Sequence, residues 1–386
     1  MTVAPHVRPS DSVPPLDATA IEAGPVSFSV LRGPKGMEAA AEVWEQIASE
    51  LPDYRYGQAY AWIASYVEAL DPHPEEFLVV IASQRSRPVA ILPLSQSRTR
   101  MFGIPLHVLS IANHAHVTLS DMVCAPSLAP AVMRAFIAQL HSLPDVRCDL
   151  LLFPQILATS AIAAGLSALD SSRVLIRRNG ASNVIPCGTT YDEMLARFSK
   201  NFRGNLRKAR NKLNTAGNVE FAFLRRPEEL GDGFERFLRV EASGWKGQEG
   251  TNSAISLHHD LLRFYRSIVR RLGGRGCEIN LLSVDGRDIA VQFCVSFGRT
   301  YSVLKIGYDE SVAQFAPGNM MFEALLRRLL PRDDLLRVDL VSDTPWHVSW
   351  CPETTSCIDG YVSAGARGGA ALALLRARYA LTGPRT

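Results

Sequence analysis

Residues 290–330 read AVQFCVSFGRTYSVLKIGYDESVAQFAPGNMMFEALLRRLL, and this stretch constrains the fold more than any other. Two apolar runs, Ala290–Phe297 and Tyr301–Ile306, are joined by Gly298-Arg299-Thr300, a connection of β-hairpin length. A polar loop and Pro317-Gly318-Asn319 follow, and an amphipathic helix is expected from about Met320. A strand, a glycine-bearing loop and a helix start bring free backbone N–H groups and the positive end of a helix dipole to one point. That arrangement suits a phosphate.

At 386 residues the chain is long for one domain, and length alone predicts two. With 47% hydrophobic and 20% charged residues the composition is that of an ordinary globular protein, and a net charge of +3 gives no argument for a polyanionic partner. The seven cysteines are scattered without a CxxC pair, and Cys148, Cys277 and Cys294 lie in apolar runs as small core residues. An odd, dispersed set points to a reducing compartment, so the expected location is cytoplasmic. Residues 1–25 are rich in Pro, Ala and Ser, lack an apolar h-region and read as a disordered tail. The uncharged run Leu150–Leu169 contains Pro154, Gln155, Thr159, Ser160 and Gly165. It reads as a buried strand and a short helix, so no membrane insertion is expected.

The first half opens on a strand, Val26–Leu31. Helices follow at Gly36–Leu51 and Tyr60–Leu70, then strands at Phe77–Ser83, Val89–Ser97 and His107–Asn113. A helix over Pro126–Leu140, a strand over Asp149–Phe153 and a helix over Ile156–Leu169 complete it. Adjacent hairpin strands make this mixed α/β, an α+β type of sheet rather than a doubly wound parallel one. His114, His116 and Asp121 invite a metal reading, but no third strong ligand accompanies the two histidines. The run is read as a pocket wall or a plain loop, and no metal is expected.

From Tyr191 to about Ala216, Phe202, Leu206, Ala209 and Leu213 line one face of a helix, with Arg203, Arg207 and Arg210 in an adjacent stripe. The stripe is either a solvated face or a surface for an anion such as coenzyme phosphates, a nucleotide-linked substrate or RNA. No RNA-binding module is recognisable, so nucleic acid is not the expected partner. The second half continues with helices from Arg226 and over Leu257–Leu272, and strands over Cys277–Val284 and Ile289–Phe297. After the opening hairpin and helix come a strand over Arg337–Val341, a Trp-rich segment over Asp343–Trp350, a last strand near Cys357–Val362 and a helix over Gly368–Leu381. This order echoes the first half.

The segments SKNFRGNLRKARNKL (Ser199–Leu213), EASGWKGQEG (Glu241–Gly250), LLSVDGRDIA (Leu281–Ala290), KIGYD (Lys305–Asp309) and Pro317-Gly318, with Trp62 and VAILPL (Val89–Leu94), carry a resemblance. Over roughly residues 26–365 the chain resembles the CelD/BcsL branch of the GNAT acyltransferases, associated with cellulose biosynthesis. More distantly it resembles the Fem-type transferases built from two GNAT-like halves. The resemblance implies tandem GNAT-like domains, an N-terminal one over 26–185 and an acyltransferase domain over 186–365, with 366–386 as a terminal helix and tail. It also implies that a pantetheine arm inserts between two splayed strands, here Tyr301–Ile306 and Arg337–Val341. The pyrophosphate would sit on the next helix start. Carried over, the acyl-CoA (acetyl-CoA) contacts fall on Leu304, Ile306, Gln314, Pro317, Gly318, Asn319 and Met320. Pro317 and Asn319 stand where the family's turn has small residues, leaving Gly318 for close backbone approach.

The activity so implied is N-acyl transfer from acyl-CoA to an amine of a small-molecule, sugar or amino-acid-type acceptor. The reaction needs a neutral amine, an oxyanion donor and a proton for the leaving thiolate. Glu241, Asp343 and His347 are the candidate bases, His347 for its ordinary pKa near 6.5. Tyr308 is a candidate proton donor. Lys305 sits in an apolar strand, where an amine is costly unless paired, and is assigned to the acceptor's anion or to Asp343 or Glu241. Trp245, Lys246, Trp346, Arg203 and Arg207 are the substrate-binding candidates. Two other readings stay open: an aminoacyl-tRNA-dependent transferase, favoured by the basic helix, and a non-catalytic accessory protein of exopolysaccharide production, hinted at by Asn319.

Overall fold

The computed structural model describes residues 24–244, 246–247 and 250–382. The tail expected over 1–25 falls, as far as residue 23, outside the described residues, and so does Trp245. In the first half the strands are β1 (Val26–Arg32), β2 (Leu78–Gln84), β3 (Arg87–Met101), β4 (Ile104–Ile111), the two-residue β5 (Val123–Cys124), β6 (Leu150–Leu157) and β7 (Val174–Pro186). The helices are α1 (Gly33–Ser49), α2 (Tyr60–Ala69), α3 (Ala129–Gln139) and α4 (Ala161–Ser167). The second half has α5 (Tyr191–Arg197), α6 (Lys200–Asn214), β8 (Val219–Leu224), α7 (Pro227–Ser243), α8 (His259–Leu272), β9 (Cys277–Val284), β10 (Arg287–Phe297), β11 (Thr300–Tyr308), α9 (Pro317–Leu329), β12 (Arg337–Asp339), β13 (Glu353–Ser363) and α10 (Ala366–Thr382). Among the described residues no helix is long and apolar enough to cross a membrane.

The strands form one mixed sheet in the order β1-β2-β3-β4-β6-β13-β7-β12-β11-β10-β9-β8, with β5 on β3. Its two wings repeat one plan. In the first, β1 to β4 run antiparallel, β4 pairs parallel with β6 only over Val108–Ser110, and β13 closes the wing antiparallel to β6. In the second, β8 to β11 run antiparallel, β11 pairs parallel with β12 only over Thr300–Ser302, and β7 closes the wing antiparallel to β12. The closing strands are exchanged: residues 174–186 complete the second wing, residues 353–363 complete the first, and the two pair with each other at the centre. The boundary expected at 185/186 falls at the end of β7, after that strand has crossed over.

Helices cover both faces. On one, α1 and α2 of the first half pack against α7 and α8 of the second, with Trp62 and Phe264 in edge contact at 5.1 Å, so a single apolar core spans both halves. On the other, α3 and α4 cover the first wing, while α5, α6 and α9 cover the second.

Three local departures from the expected elements have identifiable causes. The helix expected from Tyr191 to Ala216 is two helices. Phe198 is extended and turns into the core against Trp350 (5.5 Å), and Ser199 Oγ recaps by accepting from Phe202 N. The helix expected from Ile156 starts at Ala161, because β6 continues to Leu157 and Ser160 caps the later turn. β7 was not anticipated at all. Its Arg178-Asn179-Gly180 run reads as a turn, yet Gly180, at φ 74°, sits in an irregularity of the β7–β13 ladder and the strand continues through it.

Candidate active site

Beyond Ser302, β11 parts from β12, and the strand edge from Val303 to Tyr308 is left facing a cavity of about 620 Å³. A bulge helps to open it. Phe293 pairs with Lys305 and Cys294 with Val303, so Leu304 is the extra residue that bends the strand. Across the gap the wall is Leu340, Val341, Ser342, Thr344, Trp346 and His347.

The floor is the start of α9, three residues earlier than expected. Ala316 precedes it in the left-handed region (φ 48°), an uncommon conformation for a residue with a Cβ. The helical ladder begins at Met320 N, which donates to Ala316 O at 3.1 Å. Pro317 has no N–H, so the N–H groups of Gly318 and Asn319 are the ones the helix leaves unbonded, and both residues line the cavity. Gly318 is not needed there for packing: a Cβ would meet only Tyr308 Cδ1, at an ordinary 3.6 Å. What glycine preserves is cavity space. Gly307 is the glycine that packing demands, since a Cβ there would come within 2.8 Å of Glu241 Cα.

The remaining candidates separate by position. Leu304, Ile306, Pro317, Asn319, Lys305, Tyr308, His347, Lys246 and Trp346 line the cavity. Met320 is buried beneath the floor, while Gln314 and Asp343 are exposed and do not line it. Asp343 is therefore not placed to act as a base. Glu241 is buried with both oxygens committed, Oε2 accepting from Ile255 N (2.9 Å) and Oε1 pairing with Lys246 Nζ (3.3 Å). It positions Lys246, whose Nζ also donates to Ile306 O at 2.7 Å. Arg203 and Arg207 are exposed on α6, outside the cavity; Arg210 of that helix pairs with Glu323 of α9 and docks the basic stripe beside the cavity floor.

His347 is buried, and its ring is fully used. Asn183 Nδ2 lies 3.2 Å from Nδ1, and Asn183 is held in turn by Thr354 Oγ1. Nε2 lies 2.9 Å from Thr344 Oγ1. Both ring nitrogens are hydrogen-bonded, and burial holds the pKa down at about 4. His347 braces the cavity wall. Between about pH 6.5 and 4 the unfolded chain binds a proton that folded His347 refuses, so this contribution to stability is lost as the pH falls through that window. The stability difference between wild type and His347→Gln, measured by urea unfolding, should therefore be largest at pH 7 and shrink toward pH 4.

The first wing has the matching divergence of β4 from β6, but it is plugged. Asp121 accepts from Ala161 N (2.8 Å) and Ile162 N (2.9 Å), filling the start of α4 with the chain's own carboxylate, and burial raises its pKa to about 6. Among the described residues no group of His, Cys, Asp or Glu is arranged to hold a metal, and Asp121 turns away from His114 and His116 toward α4. Sequence reasoning missed Gln292, Phe322 and Val341 as lining residues and Asn183 as the partner of His347. The alternation of β10 offered a signal for Gln292, and nothing local marked Asn183.

Residues 200–346 match the family model described as an acetyltransferase (GNAT) domain. No curated protein matches the chain in sequence. Among solved structures, FemX superposes with a TM-score of 0.55 at 10% identity, covering 88% of this chain and 98% of FemX. The C-terminal domain (DUF2156) of a proposed lysylphosphatidylglycerol synthetase from Agrobacterium fabrum gives 0.51 at 12%, covering 89% and 97%. A tandem GNAT protein from the clavulanic acid biosynthesis pathway gives 0.44 at 9%, covering 88% and 99%. Residues 200–346 of the second half thus match a GNAT acetyltransferase domain, and they lie in one of two wings of a mixed α/β sheet that repeat a single plan.

Proposed function

We propose that the chain is an N-acyltransferase that moves an acyl group from acyl-CoA to the amine of a small acceptor. One observation carries the reading: the open edge of β11 and the two unbonded N–H groups at the start of α9 face the same cavity. An extended amide-bearing arm can pair with the strand edge while a pyrophosphate rests on Gly318 and Asn319. The exposed basic stripe of α6, beside this floor, supplies charge for further phosphates.

In the reaction the amine nitrogen bonds to the thioester carbonyl carbon and the C–S bond breaks. The amine gives up a proton to solvent, and the thiolate gains one. Backbone N–H groups of the open edge stabilise the oxyanion. Tyr308, which lines the cavity beside Gly318, protonates the thiolate. His347, hydrogen-bonded at both ring nitrogens, is assigned no step. Tyr308→Phe should lower kcat by about 100-fold with an unchanged dissociation constant for acetyl-CoA, as checked by steady-state kinetics and calorimetry.

The basic stripe favours a second reading, transfer from an aminoacyl-tRNA. Calorimetric titration separates the two. Saturable acetyl-CoA binding supports the first, whereas binding of charged tRNA with no binding of acetyl-CoA replaces it with the second. Acetyl-CoA binding without turnover of any amine leaves an accessory role.

A further inference from the structure

Of the residues that line the cavity, Lys305 points away from α9. Lys305 pairs with Phe293, which belongs to the face covered by α7 and α8, so its side chain reaches the side of β11 opposite α9. There the first half enters. Residues 114–117 form a tight turn in which His114 and Val117 exchange backbone hydrogen bonds of 3.2 and 2.8 Å. His116 Nδ1 lies 3.0 Å from the hydroxyl of Tyr265 on α8, a residue with no exposed surface, and the two rings meet edge-on at 5.8 Å. The turn is thereby pinned to the second half, within range of the Lys305 charge, which with burial lowers the pKa of both histidines, that of His116 to about 3.

His114 Nδ1 accepts from His116 N at 3.1 Å, so the neutral ring carries its proton on Nε2 and offers only a donor there. Glu241, the carboxylate that acts on Lys305, is already bonded to Ile255 N and Lys246. Among the described residues no carboxylate lies within ion-pair distance of Lys305. Burial and the Lys246 charge hold Lys305 down at about pH 8, still mostly protonated at neutrality. Among the described residues Lys246 is paired with Glu241, and Lys305 is the cation left without a carboxylate partner.

We propose that the acceptor is an amine bearing a single carboxylate, and that Lys305, with His114, binds that carboxylate in a chamber closed by the 114–117 turn of the first half. This rests on the acyl-transfer reading above and deepens it. A carboxylate supplies the counter-charge that Lys305 lacks among the described residues, and the strand position of Lys305 sets it beside the edge on which the thioester lies. The 114–117 turn explains why a second half that holds the whole cradle comes with a first half whose own divergence is plugged.

The test has two arms on the full chain. In the first, a panel of L-amino acids and their methyl esters is offered with acetyl-CoA, and N-acetyl product is measured by mass spectrometry. Acids should exceed their esters in kcat/KM by about 10- to 100-fold, and Lys305→Met should erase that ratio. In the second, which needs no acyl donor, wild-type protein is trace-labelled with acetic anhydride and modification of Lys305 is read by peptide mass spectrometry. Amino acids near their solubility limits should protect Lys305, and their esters should not. Protection without turnover keeps the carboxylate site and removes acyl-CoA as donor. Turnover with esters equal to acids, and no protection, overturns the site and keeps the donor. Failure of both arms overturns both.

Discussion

Gly318→Asp should raise the dissociation constant for acetyl-CoA by about 100-fold or more, while the melting temperature stays within about 2 °C of wild type or rises. The two readouts move apart for a physical reason. The new Cβ meets only Tyr308 Cδ1, at 3.6 Å, so the folded state has room for it. A carboxylate in the first turn of a helix is favoured by the dipole, and α9 has no acidic residue there. The same charge, at the mouth of the two unbonded N–H groups, takes the place a pyrophosphate would occupy and repels it. Calorimetry with acetyl-CoA and a thermal melt together check the prediction. Unchanged affinity would place the coenzyme elsewhere, and a collapsed melting temperature would mean that glycine at 318 serves packing after all.

The largest effect on stability is expected behind the same cavity. Gln292, on its wall, accepts from Asn280 Nδ2 (3.0 Å), which also donates to Tyr301 OH (3.1 Å). That hydroxyl donates to Glu278 Oε1 at 2.5 Å, and Arg328 of α9 closes the chain with a two-pronged pair to the Glu278 carboxylate. Arg328→Met should cost about 3 kcal/mol, the low end for breaking a buried pair, since Arg328 keeps an exposed edge and a methionine retains some of its packing on Phe223. Glu278→Met in the same chain should recover much of the loss, because the unpaired charge is then gone. Urea unfolding of the two single variants and the double variant tests this as a cycle. Additive losses would show that the pair is not coupled.

Much of the second half was legible because its signals are local. The hairpin of β10 and β11 shows as two apolar runs around Gly298, and α9 shows as a period of apolar residues after Pro317. The helix itself starts three residues before that period, at Pro317, which is well suited to the first turn. Long-range features left weaker marks. The bulge at Leu304 has no signature in an apolar run, since one extra residue disturbs alternation no more than a buried strand does. β7 was hidden by Gly180, where a turn signal marks an irregularity within a ladder. The hydrogen bonds that occupy both nitrogens of His347 come from residues as far away as Asn183, so an ordinary loop histidine and a base look alike in sequence. His114 and His116 stood out as a pair, but the α8 tyrosine that fixes their place lies about 150 positions later.

The exchange of β7 and β13 bears on how the protein is made. The first half emerges from the ribosome lacking the strand that lies between β6 and β7 in the finished sheet, because residues 353–363 are synthesised only after β8 to β12. Until they arrive, β6 and β7 present unpaired edges to each other, the kind of surface that recruits stray strands. Cutting the gene after codon 185 would not yield two domains, since each fragment would carry the other's closing strand. The two fragments would have to be co-expressed, each folding only by taking up the other.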